Sequence, residues 1–257
     1  MLHIGCDAVF FVLCLFWGLF GTITEKRSRN VLETEKFNPH VKYTDSYYEN
    51  YISAFDSNLK KRIFFRFVKR TFDFLVSFLM LLLLSPIYLI LAIAVKLDSK
   101  GPVIFRQERM GKDGKTFTCL KFRSMYTEAP HDLATSLFHD ASSYLTRVGR
   151  FMRKFSLDEL PQIWCVFIGK MSFIGYRPLI LNESECNDMR RRLGVFRMRP
   201  GISGYSQVSG RDDLYYKNKA ILDAEYVKHA SLFWDFKLLL KTVIVVANKK
   251  GNHTCLF

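Results

Sequence analysis

The sequence lacks any cysteine arrangement typical of a metal site or a disulfide framework. Its six cysteines form no C-x-x-C pair and no regular spacing; they are Cys6, Cys14, Cys119, Cys165, Cys186 and Cys255. This excludes a zinc-finger domain and a small disulfide-stapled secreted domain. We expect reduced thiols that serve mainly in packing.

The sequence is also short of acidic residues, and it has no internal repeat or low-complexity tract. Its 38 Lys and Arg residues outnumber its 24 Asp and Glu residues, which leaves a net charge of +14. Such an excess indicates a polyanionic partner: nucleic acid, an anionic membrane surface or a phosphorylated small substrate. No nucleic-acid recognition motif is present, so we expect no nucleic-acid partner and assign the charge to membrane and phosphates.

The N-terminal apolar run, Ala8 to Thr24, lacks the features of a cleaved signal peptide. No Lys or Arg precedes it, and no convincing small-residue cleavage site follows. Its length is near the lower limit for a membrane-spanning helix, and Lys26, Arg27 and Arg29 behind it favour a cytoplasmic C-terminal end. We predict an uncleaved anchor over residues 1–24, followed by a polar linker over 25–58 without a sustained helical period.

A second apolar run, Phe72 to Val95, is long enough to cross a bilayer but holds Ser85 and Pro86 at its middle. Proline removes a helical hydrogen bond and opens the turn before it. A kinked transmembrane helix is one interpretation. Basic residues on both sides of the run favour the other, a re-entrant helix over 59–97 with both ends cytoplasmic. Charge and proline alone leave both open.

The rest of the chain, 98–257, is predicted to form a catalytic domain of the α/β class, rich in helices. Asp113-Gly114 between two β-branched and aromatic runs predicts a short β-hairpin. Residues 126–145 are irregular and polar, and helices are expected near 158–168, 183–194, 215–228 and 232–247. The last helix carries Asp235, Lys237 and Lys241, so we expect it at the membrane interface or packed on the domain.

The adjacent carboxylates Asp158 and Glu159 stand out in so basic a chain. Ser156 three residues before Glu159 fits a capping box, which predicts a helix start where Asp158 stays ionised. An ionised carboxylate can act as a nucleophile, and its neighbour can hold a metal. On this pattern alone, an acidic first turn that only complements the helix dipole is the commoner explanation. The basic cluster just upstream, Arg147, Arg150, Arg153 and Lys154, shifts the balance towards a phosphate site, with a solvated or lipid-facing basic face as the alternative.

Taken in order, these segments resemble the bacterial polyprenol-phosphate sugar phosphotransferases, the monotopic phosphoglycosyl transferases. The likeness covers about residues 61–246. It rests on KRTFDF at 69–74, Ser85-Pro86, GPVIFRQERMG at 101–111, KFRSM at 121–125, RKFSLDELPQ at 153–162, GKMSFIGYRPL at 169–179, RPGISGYSQVSGR at 199–211 and DAEYVKHASLFWDFK at 223–237.

The resemblance implies an enzyme of the bacterial inner membrane whose catalytic domain faces the cytoplasm, held by a re-entrant helix that breaks at Ser85-Pro86. It would move a sugar 1-phosphate from a UDP-sugar to undecaprenyl (polyprenol) phosphate and release UMP, as the first membrane step of exopolysaccharide, capsule or glycan synthesis. Asp158 matches the nucleophile and Glu159 the partner of Mg²⁺. By the same resemblance, five basic residues become candidates for phosphate or nucleotide contacts: Lys121, Arg123, Arg153, Arg177 and Arg211.

The sequence departs from the family pattern at three positions. Tyr176 stands where the family usually has proline, and Tyr205 and Ser209 stand where it has Trp and Asn. The departures at Tyr176 and Tyr205 motivate a second hypothesis, a membrane scaffold or regulatory homologue that has lost turnover. The sugar and the oligomeric state are not identified by the sequence.

Overall fold

The computed structural model describes residues 37–55, 63–130, 142–210 and 214–247. The predicted N-terminal anchor at 8–24 and the candidate residue Arg211 lie outside these ranges. The described helices are α1 (Asp45–Ala54), α2 (Ile63–Leu83), α3 (Ser85–Asp98), α4 (Arg147–Lys154), α5 (Gln162–Phe167), α6 (Ser184–Arg192), α7 (Tyr205–Val208), α8 (Tyr216–His229) and α9 (Leu232–Ala247). The strands are β1 (Ile104–Met110), β2 (Thr116–Phe122), β3 (Ser172–Ile174) and β4 (Gly201–Ser203).

The predicted hairpin is confirmed. Strands β1 and β2 pair antiparallel, from Ile104 opposite Phe122 to Met110 opposite Thr116. The turn between them holds two left-handed residues, Asp113 with φ 57° and Gly114 with φ 70°. Asp and Gly tolerate this region better than other residues, which explains why Asp-Gly marked the turn. The helix-rich α/β class is confirmed as well, with a second, two-stranded parallel sheet of β3 and β4 that the sequence analysis did not predict.

The second apolar run forms two helices, α2 and α3, bent by 61° at Leu84. Pro86 lies in the first turn of α3, where its missing N–H costs nothing, and the Ser85 hydroxyl donates to the Leu82 carbonyl at 2.8 Å. Within the described ranges no helix is by itself long and apolar enough to cross a membrane, and this bent pair meets that test only when its helices are combined. The predicted break is confirmed, while its membrane placement remains a prediction.

Both helices of the pair are apolar on two sides. One side packs into the protein through Val76, Met80 and Val95. The other leaves large apolar side chains exposed, namely Phe64, Phe67, Phe74, Leu75, Phe78, Leu82, Leu83, Leu89, Ile90, Ile93 and Leu97. An exposed apolar surface of this extent is typical of a membrane or protein contact.

Helix α9 packs on the domain through its acidic residue. Asp235 is buried, accepts from Lys69 Nζ of α2 at 2.6 Å and from the Tyr226 hydroxyl of α8 at 2.6 Å. The charge of Asp235 is therefore paired inside the protein. Of the two placements expected for this helix, packing on the domain accounts for this side, while Phe233 and Ile244 are exposed.

Part of the expected linker is helical, which the sequence analysis did not foresee. Helix α1 begins after Thr44, whose hydroxyl accepts from the Tyr47 amide. Tyr48 is buried, and its hydroxyl donates to Asn218 of α8 at 2.8 Å. The sequence of α1 shows little helical periodicity. The helix is stabilised by contacts of its aromatic side chains with a distant helix rather than by an apolar stripe of its own.

Candidate active site

The acid pair lies on a single 3-10 turn, Leu157–Glu159, between α4 and α5. The predicted capping box at a long helix is therefore wrong: Ser156 has φ 55°, its side chain makes no capping hydrogen bond, and α5 begins only at Gln162. A capping residue needs an extended backbone, whereas Ser156 is used to reverse the chain after α4. So short a turn has little dipole, and neighbouring side chains must set the charge of the pair.

Glu159 is held ionised by cations from three separate segments. Lys121 at the end of β2 donates to its Oε1 at 2.8 Å. Burial raises the pKa of Glu159, but the charges of Lys121, Arg177 and Arg109 outweigh this and leave the pKa well below its usual range. Glu159 therefore carries a permanent negative charge among positively charged side chains.

Asp158 behaves in the opposite sense. It is only 7% exposed. Burial raises its pKa, the charge of Glu159 adds to this, and Lys121 and Arg153 only partly oppose it. Its carboxylate is thus a stronger base than an ordinary aspartate, and bonding to an electrophile or a nearby cation stabilises it more. Two adjacent acids with pKa values driven apart are typical of a site in which each has its own task.

Arg153 reaches the pair from α4, a helix that the sequence analysis treated only as a basic cluster. Its Nε donates to Ser124 Oγ at 2.9 Å, and it is half-buried beside both carboxylates. Gly149 fixes this placement, since a Cβ there would lie 1.9 Å from the Ser124 carbonyl oxygen. The glycine thereby lets α4 approach the hairpin closely enough for Arg153 to face the acids.

Arg109 is a site residue that sequence reasoning missed. Its Nη1 donates to the Pro178 carbonyl at 2.6 Å, and its Nη2 donates to Gln107 Oε1 at 2.7 Å, so β1 holds the chain that carries Arg177. Directly paired residues share a face in an antiparallel sheet, and Arg109 lies two pairs along the same face from Lys121. Strand alternation was the signal that would have found it.

Arg123 is not brought to the acid pair. Its Nη2 donates to the carbonyl of Ser99 at 2.7 Å and to its hydroxyl at 2.9 Å, and its Nη1 donates to the carbonyl of Lys100. It therefore binds the chain just after α3 and joins the bent helix pair to the hairpin. Gly101 has φ 121°, and a Cβ on it would lie 2.0 Å from Arg123 Nη1.

The glycine-rich segment after Arg199 also has a packing role. Arg199 Nε donates to the Gly169 carbonyl at 2.8 Å, after the end of α5. A Cβ on Gly201 or on Gly204 would fall 2.2 Å or 1.8 Å from backbone atoms of Gly175. These glycines thus allow the backbones around β3 and β4 to touch, rather than a ligand to approach.

The Tyr176 and Tyr205 departures lie in packed positions. Tyr176 is fully buried, its ring faces the Arg190 guanidinium at 5.3 Å and meets the edge of Phe196 at 5.4 Å. Tyr205 stacks edge-on against Trp234 at 5.7 Å. Ser209 ends α7. Within the described part of the chain, none of the three makes a hydrogen bond with Asp158 or Glu159.

The acid pair suits a divalent cation that a phosphorylated ligand helps to hold. No cluster of three or more His, Cys, Asp or Glu side chains occurs within the described ranges. Magnesium in phosphate sites keeps several waters and takes only one or two carboxylates together with phosphate oxygens. Asp158 and Glu159 supply those two carboxylates, so the chemistry of the site fits Mg²⁺.

Comparison with known proteins shows which family the sequence around this site matches. Residues 64–249 match the family described as bacterial sugar transferase. The undecaprenyl-phosphate galactose phosphotransferase of Salmonella typhimurium is 39% identical over 213 residues, which is 77% of this chain and 44% of that protein. The UDP-glucose:undecaprenyl-phosphate glucose-1-phosphate transferase of Escherichia coli is 39% identical over 187 residues, 69% of this chain and 40% of that protein.

A shorter relative is matched along most of its length. The exopolysaccharide production protein ExoY of Sinorhizobium fredii is 35% identical over 199 residues, 72% of this chain and 88% of that protein. The chain thus spans less than half of the longer relatives and most of the shorter one. Because the family match covers residues 64–249, including the acid pair and the cations around it, this chain belongs to the bacterial sugar transferase family.

Proposed function

We propose that the chain transfers a sugar 1-phosphate from a UDP-sugar to undecaprenyl phosphate through a covalent intermediate on Asp158, and releases UMP. The observation that carries the proposal is the buried Asp158 beside Glu159, whose carboxylate Lys121 binds at 2.8 Å, with the charges of Arg153 acting on Asp158 and those of Arg109 and Arg177 acting on Glu159. The relatives are named for transfer of galactose phosphate or glucose phosphate to undecaprenyl phosphate, which supports the same reaction class here.

In the first step an oxygen of Asp158 attacks the phosphorus that bears the sugar. A bond forms between that oxygen and phosphorus, and the bond from the same phosphorus to the bridging oxygen of the diphosphate breaks. UMP leaves with the bonding electrons and the sugar phosphate stays on Asp158. The surrounding cations are placed before the reaction and offset the charge that builds up on the phosphate oxygens.

In the second step a phosphate oxygen of undecaprenyl phosphate attacks the same phosphorus. The bond to Asp158 breaks, the carboxylate takes back its electrons, and the product is an undecaprenyl diphosphate sugar. Burial serves this step too, because a nucleophile that is 7% exposed leaves water little access to the intermediate.

Each cation has a position that suits one part of this chemistry. Lys121, paired with Glu159 at 2.8 Å, lies where it can share its charge with a phosphate. Arg153 and Arg177 offer forked donors, and Arg109 holds the segment of Arg177 through Pro178. Mg²⁺ bound at Glu159 would supply further charge neutralisation on the diphosphate.

The bent helix pair is proposed to anchor the domain at the inner membrane as a re-entrant helix, with the catalytic domain in the cytoplasm. Its exposed apolar side chains support this, as do exposed aromatic residues near the acid pair, Phe151 and Phe155 on and after α4 and Trp164 on α5. Exposed aromatic residues of this kind would bring the site to the depth of a lipid phosphate.

Topology gives a direct prediction for this placement. Single cysteines are introduced at Arg66, before the apolar run, and at Lys100, after it. Both are expected to react with a membrane-impermeant maleimide only from the cytoplasmic side. The native thiols in the described domain are buried, which keeps their background low. Labelling of the two positions from opposite sides would contradict the re-entrant helix.

The reaction itself is tested by UMP release. The full chain, Mg²⁺ and undecaprenyl phosphate are incubated with a panel of UDP-sugars, and UMP is measured for each. We expect one or a few sugars to support release at a rate far above the rest. A catalytically inactive scaffold, the alternative suggested by Tyr176 and Tyr205, predicts no release with any sugar and no phosphosugar adduct on the purified protein.

A further inference from the structure

The structure contains an arginine-lined cleft at the end of the hairpin opposite Lys121. The cleft has a volume of about 450 Å³ and lies between the hairpin turn, the end of α6 and the residue after α1. Thr116 and Lys121 are five positions apart along β2, or about 17 Å at the usual rise per residue, so the cleft is separate from the acid pair. Its size falls within the range of small-molecule sites.

Three consecutive arginines at the end of α6 have different partners, because successive side chains of a helix point about 100° apart. Arg190 turns inward to Asp223, and Arg192 pairs with Glu49 of α1 at 2.5 Å. Arg191 turns to the cleft, where its Nη1 would lie 3.4 Å from a Cβ on Gly114. Among the described residues the Arg191 side chain has no hydrogen-bond or ion-pair partner.

The other walls are suited to an anion with an apolar part. Arg197 and Arg192 line the cleft with Arg191, and the one acidic lining residue, Asp113, is paired with Lys112 at 2.6 Å. Phe55 adds an aromatic wall from the end of α1. Gly114 and Gly194 have positive φ, which allows the hairpin turn and the turn after α6 to form the rim.

From this arrangement we propose that the cleft is a second binding site, for a phosphate-bearing anion of about nucleotide size. Arginine forks recognise phosphate oxygens in pairs, and the Arg191 guanidinium faces the cleft without an ion-pair partner among the described residues. The phosphate can come from a soluble nucleotide or from a lipid headgroup. The inference does not depend on the proposed transfer reaction.

The test uses the full chain in phosphatidylcholine nanodiscs and inorganic pyrophosphate as the probe, followed by titration calorimetry. We expect two binding events per chain. The double variant R191Q/R197Q should weaken one event by at least about tenfold, since two charge-assisted contacts are lost. K121Q should weaken the other event, and R106Q, which removes an exposed arginine of the same hairpin outside the cleft, should keep both.

Two further measurements complete the test. R191K/R197K, which keeps the charges but not the paired donors, should recover only part of the lost affinity if the double variant weakens binding through the cleft. In nanodiscs that contain phosphatidylglycerol, disappearance of the cleft event indicates a headgroup ligand, and its persistence indicates a soluble one. Pyrophosphate binding that is unchanged in R191Q/R197Q would overturn the proposal, whether wild type shows one event or two, and that result does not bear on UMP release.

Discussion

Asp158→Asn is expected to lower UMP release by more than about a thousandfold, the scale on which loss of a nucleophile acts in covalent catalysis. The amide is nearly isosteric with the carboxylate but cannot form the bond to phosphorus. The introduced side chain also carries no charge, so the cations around the site should still bind the UDP-sugar. The measurement is UMP release under saturating UDP-sugar, together with intact-protein mass spectrometry for the phosphosugar adduct.

The matched control is Asp188→Asn, the same chemical change at an exposed position on α6. It should release UMP and form the adduct as wild type does. If Asp158→Asn retained the wild-type rate, Asp158 would not be the nucleophile, even with the family membership unchanged. A lost rate with an adduct still present on the variant would assign the covalent bond to another residue.

Arg190→Ala is expected to destabilise the domain by about 3–5 kcal/mol, because it leaves a buried carboxylate without its partner. The Arg190 side chain has no exposed surface; its Nη2 binds Asp223 Oδ2 at 2.5 Å and its Nη1 donates to the Arg177 carbonyl at 2.9 Å. The Tyr176 ring covers the guanidinium. For a domain of this size the change corresponds to a melting temperature lower by about 10 °C, measured by thermal unfolding in detergent.

The stability lost in Arg190→Ala should depend on pH in a defined direction. Burial raises the pKa of Asp223, and Arg190 partly opposes this. Without Arg190 the folded-state pKa rises further above the unfolded value, so the variant should be least stable at neutral pH. It should recover part of the deficit as pH falls through the folded pKa of Asp223, since a neutral carboxyl is cheaper to bury.

Arg191→Ala provides the control for Arg190→Ala on the next residue of the same helix. Its side chain is exposed, so its effect on stability should stay within about 0.5 kcal/mol. Equal melting temperatures for the two variants would show that the buried pair contributes nothing. A stable Arg190→Ala protein with impaired UMP release would instead assign Arg190 a role in positioning Arg177 alone.

Local patterns predicted the elements that depend on local chemistry. Asp113-Gly114 identified the hairpin because the turn needs left-handed residues, and Ser85-Pro86 identified the bend because proline cannot donate within a helix. The helices α6, α8 and α9 were predicted close to their observed bounds. Helix α1 was missed, since its stability comes from tyrosines that contact a helix about 170 residues away.

Within the site, the sequence singled out Asp158 and Glu159 but gave the wrong local structure for them. It grouped Lys121 and Arg123 together, although the two side chains have different partners once the chain is folded: Lys121 reaches Glu159, and Arg123, beyond the end of β2, binds the end of the bent helix pair. It overlooked Arg109, which is distant in sequence from the acid pair.

The sequence by itself determined the family, the acid pair, the bend and the excess of positive charge, because these depend on residue identity and order. Only the tertiary structure decided which charges meet. Cations from separate segments keep Glu159 ionised, whereas burial and the charge of Glu159 raise the pKa of Asp158. Electrostatic interactions depend on distance and on exclusion of water, and neither is fixed until the chain is folded.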